Sequence, residues 1–278
     1  MGNLLSVTRR GMKIGEAKVW GHTVRYADYG PEDADDVVLM FNGIGANIES
    51  AESFITSFTK VRAITFDAPG VGGTATPLLP YRLSHVSGIA SKLLEELGVS
   101  SVHVFGVSWG GAAAQQFAND YRGKTRSLTL AATSAGWMSL PGSLSALSKM
   151  LTPKRHSDPK FMQVNAEALY GGTIALNEEL LREFSEALDH GSMRGYLYQL
   201  SAISGWTSWL YLPRLKMPAL VLMGADDRIV PTGNGRILAS RMPNAKLEII
   251  DCGHLFIVTK PKQIAERVER FIQEIGDA

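Results

Sequence analysis

The sequence predicts an α/β fold: a mostly parallel sheet flanked by helices, with a helical segment inserted late in the chain. Three observations carry that expectation. Short β-branched or apolar runs alternate with stretches of helical spacing. Several runs, among them Val37 to Phe41 and Val102 to Val107, are almost wholly apolar, as strands covered on both faces by helices must be. The alternation stops after Leu130 and resumes only at Met217.

The elements follow in order. Residues 16–29 read as a hairpin turning at Trp20-Gly21-His22. Strands are expected over Val37 to Phe41, Ala63 to Phe66, Val102 to Val107, Leu128 to Leu130, Ala219 to Met223 and Leu247 to Ile250. Val86, Ile89, Ala90, Leu93, Leu94 and Leu97 form one helical stripe, with Ser84 as its N-cap and Gly98 closing it. Ile264, Val268, Phe271, Ile272 and Ile275 form another, with Pro261 suited to its first turn. From Ala135 to Leu212 only helical patterns are seen, and three of the five tryptophans lie there, Trp137, Trp206 and Trp209. The expected division is a core of 1–134 and 213–278 around an insertion of 135–212.

Composition narrows the function classes. The 278 residues suit one large domain, or a core with a lid. Twenty-eight basic against 27 acidic side chains leave +1, so bulk charge argues for neither nucleic acid nor an anionic membrane. No run approaches the ~18 apolar residues of a membrane helix. The start carries no secretory pattern, so a cytoplasmic chain is expected. It does match the M-G-x-x-x-[ST] acylation pattern, but a motif so short is outweighed by a frayed start. A single cysteine, Cys252, excludes an internal disulfide and a cysteine-rich zinc site. No cofactor and no metal are expected.

The chemistry sits at Gly106-Val107-Ser108-Trp109-Gly110, a G-x-S-x-G between a strand and a helix. Glycines at both ends permit a turn tight enough to strain the serine backbone and raise its hydroxyl above the sheet. A serine hydroxyl is a poor nucleophile until a base takes its proton. His254, after the last strand, has the right placement. His103 lies inside a strand, and His22, His85, His156 and His190 occupy turns, a helix start or the insertion. The base needs a carboxylate to fix its tautomer. Asp227 gives the chain order Ser…Asp…His, with Asp226 the alternative. The oxyanion donors should be the N–H of Trp109 and, from the loop Asn42-Gly43-Ile44-Gly45, that of Ile44. Asp67 to Thr74 is glycine-rich but lacks the Lys-Ser/Thr of a phosphate loop, so it reads as structural. Cys252 reads as a small buried filler.

These segments resemble the α/β-hydrolase superfamily with a helical cap inserted after strand six. The resemblance is closer to the intracellular, medium-chain-length poly(3-hydroxyalkanoate) depolymerases. It is carried by Phe41 to Asn47 (FNGIGAN), Phe66 to Gly73, Pro80-Tyr81-Arg82, Gly106 to Gly111 (GVSWGG) and Leu130 to Gly136 (LAATSAG). Tyr170-Gly171-Gly172, Gly205 to Ser208 and His254-Leu255-Phe256 add to it. The resemblance implies hydrolysis of storage polyester to 3-hydroxyalkanoic acids or oligomers, at a granule surface inside a bacterial cell.

Rival readings are a general carboxylesterase, a hydrolase of other polyesters, or a carbon–carbon bond hydrolase. Outside enzymes they are a ligand sensor on this fold, or a granule-coating protein. Haloalkane dehalogenases and epoxide hydrolases need a carboxylate where Ser108 stands. The insertion is too small to bury all its aromatics, so Trp137, Trp206 and Trp209 are expected to line an apolar approach to Ser108.

Overall fold

In the computed structural model, which describes residues 3–8, 10–152, 158–172, 174, 177–188 and 191–276, nine strands form one sheet. They are β1 (Asn3–Val7), β2 (Lys13–Val19), β3 (His22–Tyr29), β4 (Val37–Phe41), β5 (Arg62–Phe66), β6 (Val102–Val107), β7 (Thr125–Ala131), β8 (Ala219–Gly224) and β9 (Ala245–Ile250). The order is β1-β2-β3-β5-β4-β6-β7-β8-β9. The pairs from β1 to β5 through β3 are antiparallel, and every pair from β5 to β9 is parallel.

Strand periodicity divides the core between the two faces. Leu39, Val104, Leu128 and Val221 pack on one side under α2 (Leu83–Glu96), α3 (Trp109–Asp120) and α9 (Gly233–Arg241). Val38, Met40, Phe105 and Leu220 face α1 (Ile48–Ile55) and α11 (Pro261–Gly276). There Phe54 meets Phe105 with ring centroids 4.9 Å apart. A fully buried phenylalanine contributes about 1.5–3 kcal/mol by area alone. Between β7 and β8 lie α4 (Leu144–Leu151), α5 (Pro159–Val164), α6 (Ala166–Tyr170), α7 (Glu178–Ala187) and α8 (Met193–Ile203). Among the described residues this stretch adds no strand, only an isolated bridge between Gly136 and Thr207.

The hairpin turns as expected: Val19 pairs with His22, and both loop residues have positive φ, Trp20 at 49° and Gly21 at 78°. The start departs from expectation. Asn3–Val7 is not frayed but pairs antiparallel with β2, whose free edge supplies the template. In chain order the insertion therefore follows the seventh strand. Met1 and Gly2 of the acylation pattern lie outside the described residues. Ser84 is not an N-cap either. The helix begins at Leu83, with Arg82 extended at the cap and no side-chain capping bond. Buried Tyr81, whose hydroxyl donates to the Pro69 carbonyl at 3.1 Å, fixes the chain's entry two residues early. Gly98 closes that helix at φ 70° as the sequence requires.

The glycine-rich turn after β5 is a structural joint. The Asp67 carboxylate is buried and accepts from Ile48 N at 2.9 Å, Gly73 N at 2.9 Å and Arg25 Nη1 at 3.1 Å. Any Cβ on Gly72, at φ 50°, would collide with that carboxylate. Burial pushes the Asp67 carboxyl up to about 6, against the pull of those donors. A carboxyl raised on folding contributes stability that is full below its unfolded pKa and is lost as pH rises through about 6. Asp67→Asn turns an amide NH2 toward one of the donors and should cost about 1–3 kcal/mol. The gap between wild type and Asp67→Asn in urea denaturation should widen by about 1 kcal/mol from pH 7 to pH 5. A gap that is constant or narrows would refute this.

Candidate active site

Parallel strands deliver their C-terminal loops to one edge, and that edge is where an open α/β sheet forms its crevice. Ser108 leaves β6 there as the N-cap of α3, with φ 55° and ψ −120°. This is backbone that non-glycine residues adopt at a cost of about 1–3 kcal/mol. Its neighbours hold it. Ser108 N donates to the Ala131 carbonyl at 2.9 Å, and Thr133 Oγ1 and Gly111 N donate to the Ser108 carbonyl at 2.7 and 2.9 Å. The flanking glycines serve different approaches. A Cβ on Gly106 would strike the Gly110 carbonyl and Ala114 across the turn, whereas one on Gly110 would strike the carbonyls of Phe41 and Asn42.

His254 follows β9 and is almost fully buried. Its Nδ1 lies 2.7 Å from Asp227 Oδ2. Asp227 Oδ1 accepts from the N–H groups of Ile229 and Val230, at 2.9 and 2.8 Å. An ionised carboxylate only accepts, so Nδ1 carries the proton and Nε2 keeps its lone pair. Asp226 lies elsewhere, with Oδ2 accepting from Gly172 N at 2.9 Å and Oδ1 paired with Arg228. Ser108 and His254 line the same narrow cavity.

Ile44 and Trp109 flank Ser108. Ile44 lines both the narrow cavity and a wider one that Ser108 also lines, and Trp109 lines the wider one. Neither backbone N–H donates to a protein acceptor among the described residues. Trp109 begins α3, where a helix leaves its first N–H groups free. Asn42 braces the intervening loop, donating at 3.4 Å to the Asn47 carbonyl and at 3.3 Å to Thr65 Oγ1.

Of the three tryptophans, Trp137 is exposed on the rim of the wide cavity. Trp206 and Trp209 are not brought to Ser108. The Trp206 indole donates to Gln116 Oε1 on α3 at 2.9 Å, and the Arg241 guanidinium lies 3.9 Å over the Trp209 ring. Other histidines stand apart. His103 is buried between Ser127 Oγ at 2.8 Å and Asp36 Oδ1 at 3.1 Å, and burial lowers its pKa. His22 and His85 sit in β3 and α2, and His156 and His190 lie outside the described residues. Cys252 is buried, its Sγ 3.1 Å from Thr259 Oγ1.

Sequence reasoning missed Gln199 on α8. Its side chain accepts from Gly45 N at 2.8 Å, and its carbonyl accepts from the Trp109 indole at 2.9 Å. It thereby ties the insertion to both sides of the serine. Nothing in a helix of the insertion distinguishes that glutamine from any other. Tyr170-Gly171-Gly172 was visible as a segment but not as a clasp. The Tyr170 carbonyl accepts from His254 N at 2.7 Å, and both glycines take positive φ against Asp226 and Gly253.

Comparison with known proteins agrees with this fold. Residues 36–261 match the alpha/beta hydrolase fold family. The chain is 42% identical over 238 residues to a poly(3-hydroxyalkanoate) depolymerase of Ectopseudomonas oleovorans, spanning 85% of this chain and 84% of that one. A 3-oxoadipate enol-lactonase 2 of Acinetobacter baylyi is 25% identical, over 91% and 94% of the two chains. The crystal structure of an enol-lactonase from Burkholderia xenovorans LB400 superposes with a TM-score of 0.80 at 20% identity, covering 93% and 99%, a likeness of fold alone. A match of this length on a sheet of this order makes the chain a member of the α/β-hydrolase family, one that resembles the poly(3-hydroxyalkanoate) depolymerases.

Proposed function

We propose that the protein is a carboxylic ester hydrolase working through an acyl-enzyme on Ser108, with poly(3-hydroxyalkanoate) or its oligomers as substrate. The observation that carries this reading is the 2.7 Å contact of His254 Nδ1 with Asp227, at the cavity that Ser108 also lines. His254 Nε2 takes the Ser108 proton as Oγ attacks the ester carbonyl, and Asp227 steadies the imidazolium. The N–H groups of Ile44 and Trp109 stabilise the tetrahedral oxyanion, each such donor being worth ~10²–10³ in rate. His254 then protonates the leaving alkoxide as the C–O bond breaks. Water, deprotonated by the same histidine, releases the acid.

Residues 135–212 act as a cap over a core of 1–134 and 213–278. Similarity to the depolymerase supports the polyester, as does the exposed apolar rim of Trp137, Leu140 and Leu151 at the wide cavity. The same reading puts the enzyme at a granule surface in the cytoplasm. The enzyme needs no cofactor in this scheme. No described helix is long and apolar enough to cross a membrane.

Ser108→Ala and His254→Ala should each lower ester turnover by roughly 10³ or more, with little further loss on combination. Asp227→Asn should approach them, while Asp226→Asn stays within about tenfold of wild type. Kinetics on a chromogenic ester decide it. An active Asp227→Asn beside a dead Asp226→Asn would reassign the acid, and one product per protein molecule would favour a sensor.

Acyl length gives a second test. Each buried methylene contributes about 0.8 kcal/mol, so medium-chain acyl esters should exceed acetate in kcat/KM. Trp137→Ala should flatten that profile. Trp206→Ala and Trp209→Ala should instead lower Tm and leave the profile's shape intact. The opposite pattern would move the channel to the buried tryptophans.

A further inference from the structure

Two cavities meet at Ser108, and they differ in which catalytic group they present. A narrow one of about 60 Å³ is lined by His254, and a wide one of about 460 Å³ is lined by Trp109 and Thr133. Ser108, Ile44, Met150 and Ile229 belong to both. We propose that the narrow cavity beside His254 receives the alkyl branch on the alcohol carbon of the scissile ester, so that branch length is read on the leaving side. The inference rests on the ester-hydrolase reading.

The general acid must sit against the oxygen that leaves, since it delivers the proton there. The leaving alcohol therefore faces His254, and its carbon opens toward the narrow cavity. In a 3-hydroxyalkanoate that carbon is secondary. One arm is the main chain with its carbonyls, and the other is an alkyl branch. The polar lining is Asn42, Ser50 and Tyr170, whose donors are already taken by Asn47, Thr65 and Met162. The apolar walls include Val107, Phe184, Leu188, Ile257 and Val258; besides the His254 imidazole, no titratable acid or base of the described residues but the Tyr170 phenol lines the cavity. Ile257 is part of the core between the sheet and α11, with Val258 packed against it, so the cavity is floored by the core. Carbonyls or a carboxylate driven in there would lose hydration without a partner, and an alkyl arm would not. The main chain and the acyl part take the wide cavity, whose rim is open at Trp137 and Leu151. A single water needs roughly 10–15 Å³, so a cavity of about 60 Å³ has room for a branch of ~3–5 carbons.

The test uses acetates of 2-propanol, 2-pentanol, 2-heptanol and 2-undecanol, whose branches are methyl, propyl, pentyl and nonyl on a constant acyl group. At about fourfold per buried methylene, kcat/KM should rise roughly fifteenfold from methyl to propyl, peak near pentyl and fall at nonyl. Val258→Phe should reverse the pentyl-to-methyl ratio, and Phe184→Ala should move the peak to the nonyl ester. Calorimetric binding of the free alcohols to Ser108→Ala should follow the same order without any turnover. A flat alcohol series in wild type, or variants that shift the acyl-length profile and leave the alcohol series unchanged, would overturn the assignment. Turnover that survives Ser108→Ala would instead defeat the hydrolase reading, while the calorimetric order still decides the cavity.

Discussion

A serine held in left-handed backbone sets the terms for the whole C-terminal edge of the sheet. The conformation is uphill by itself, so the surroundings must over-determine it. Three hydrogen bonds to the Ser108 peptide groups come from the end of β7, the residues beyond it and the first turn of α3. The glycines at 106, 110 and 111 let β4, α3 and Thr133 close to distances that any Cβ would forbid. The buried apolar faces above and below the sheet supply the stability that this local strain draws down.

Much of this was legible because it is local. A strand, a tight turn and a helix must be adjacent in sequence to make the serine turn, and the loops after the last two strands are fixed by chain order. What stayed hidden depends on partners distant in sequence. Asn3–Val7 becomes a strand only because β2 offers an edge, and nothing within those five residues announces it. The start of α2 was misplaced because side-chain capping was read where the packing of Tyr81 decides. The aromatic content of the insertion is plain, but not its direction. Trp206 and Trp209 turned toward α3 and α9, where Gln116 and Arg241 offered polar and cationic partners that periodicity could not foretell.

The insertion is fastened to each loop that carries chemistry. Gln199 holds the turn after β4 and the Trp109 indole, Tyr170 holds the His254 peptide, and Gly172 holds Asp226. Ser208 adds a bond from its hydroxyl to Gln115 on α3 at 2.6 Å. Lifting this layer as a rigid body would break all of these contacts at once. Access that spares them runs along the rim near Trp137 and Leu151, where the wide cavity is open.

That fastening gives the single cysteine an unintended use. Cys252 lies two residues before His254, sealed in the core with its thiol against Thr259. An alkylating reagent reaches it only when the segment from β9 to α10 (Phe256–Thr259) comes away from its neighbours. Since the chain holds no other thiol, its rate of modification counts openings of this one segment. The native sequence thus carries its own clock for how often the histidine loop lets go.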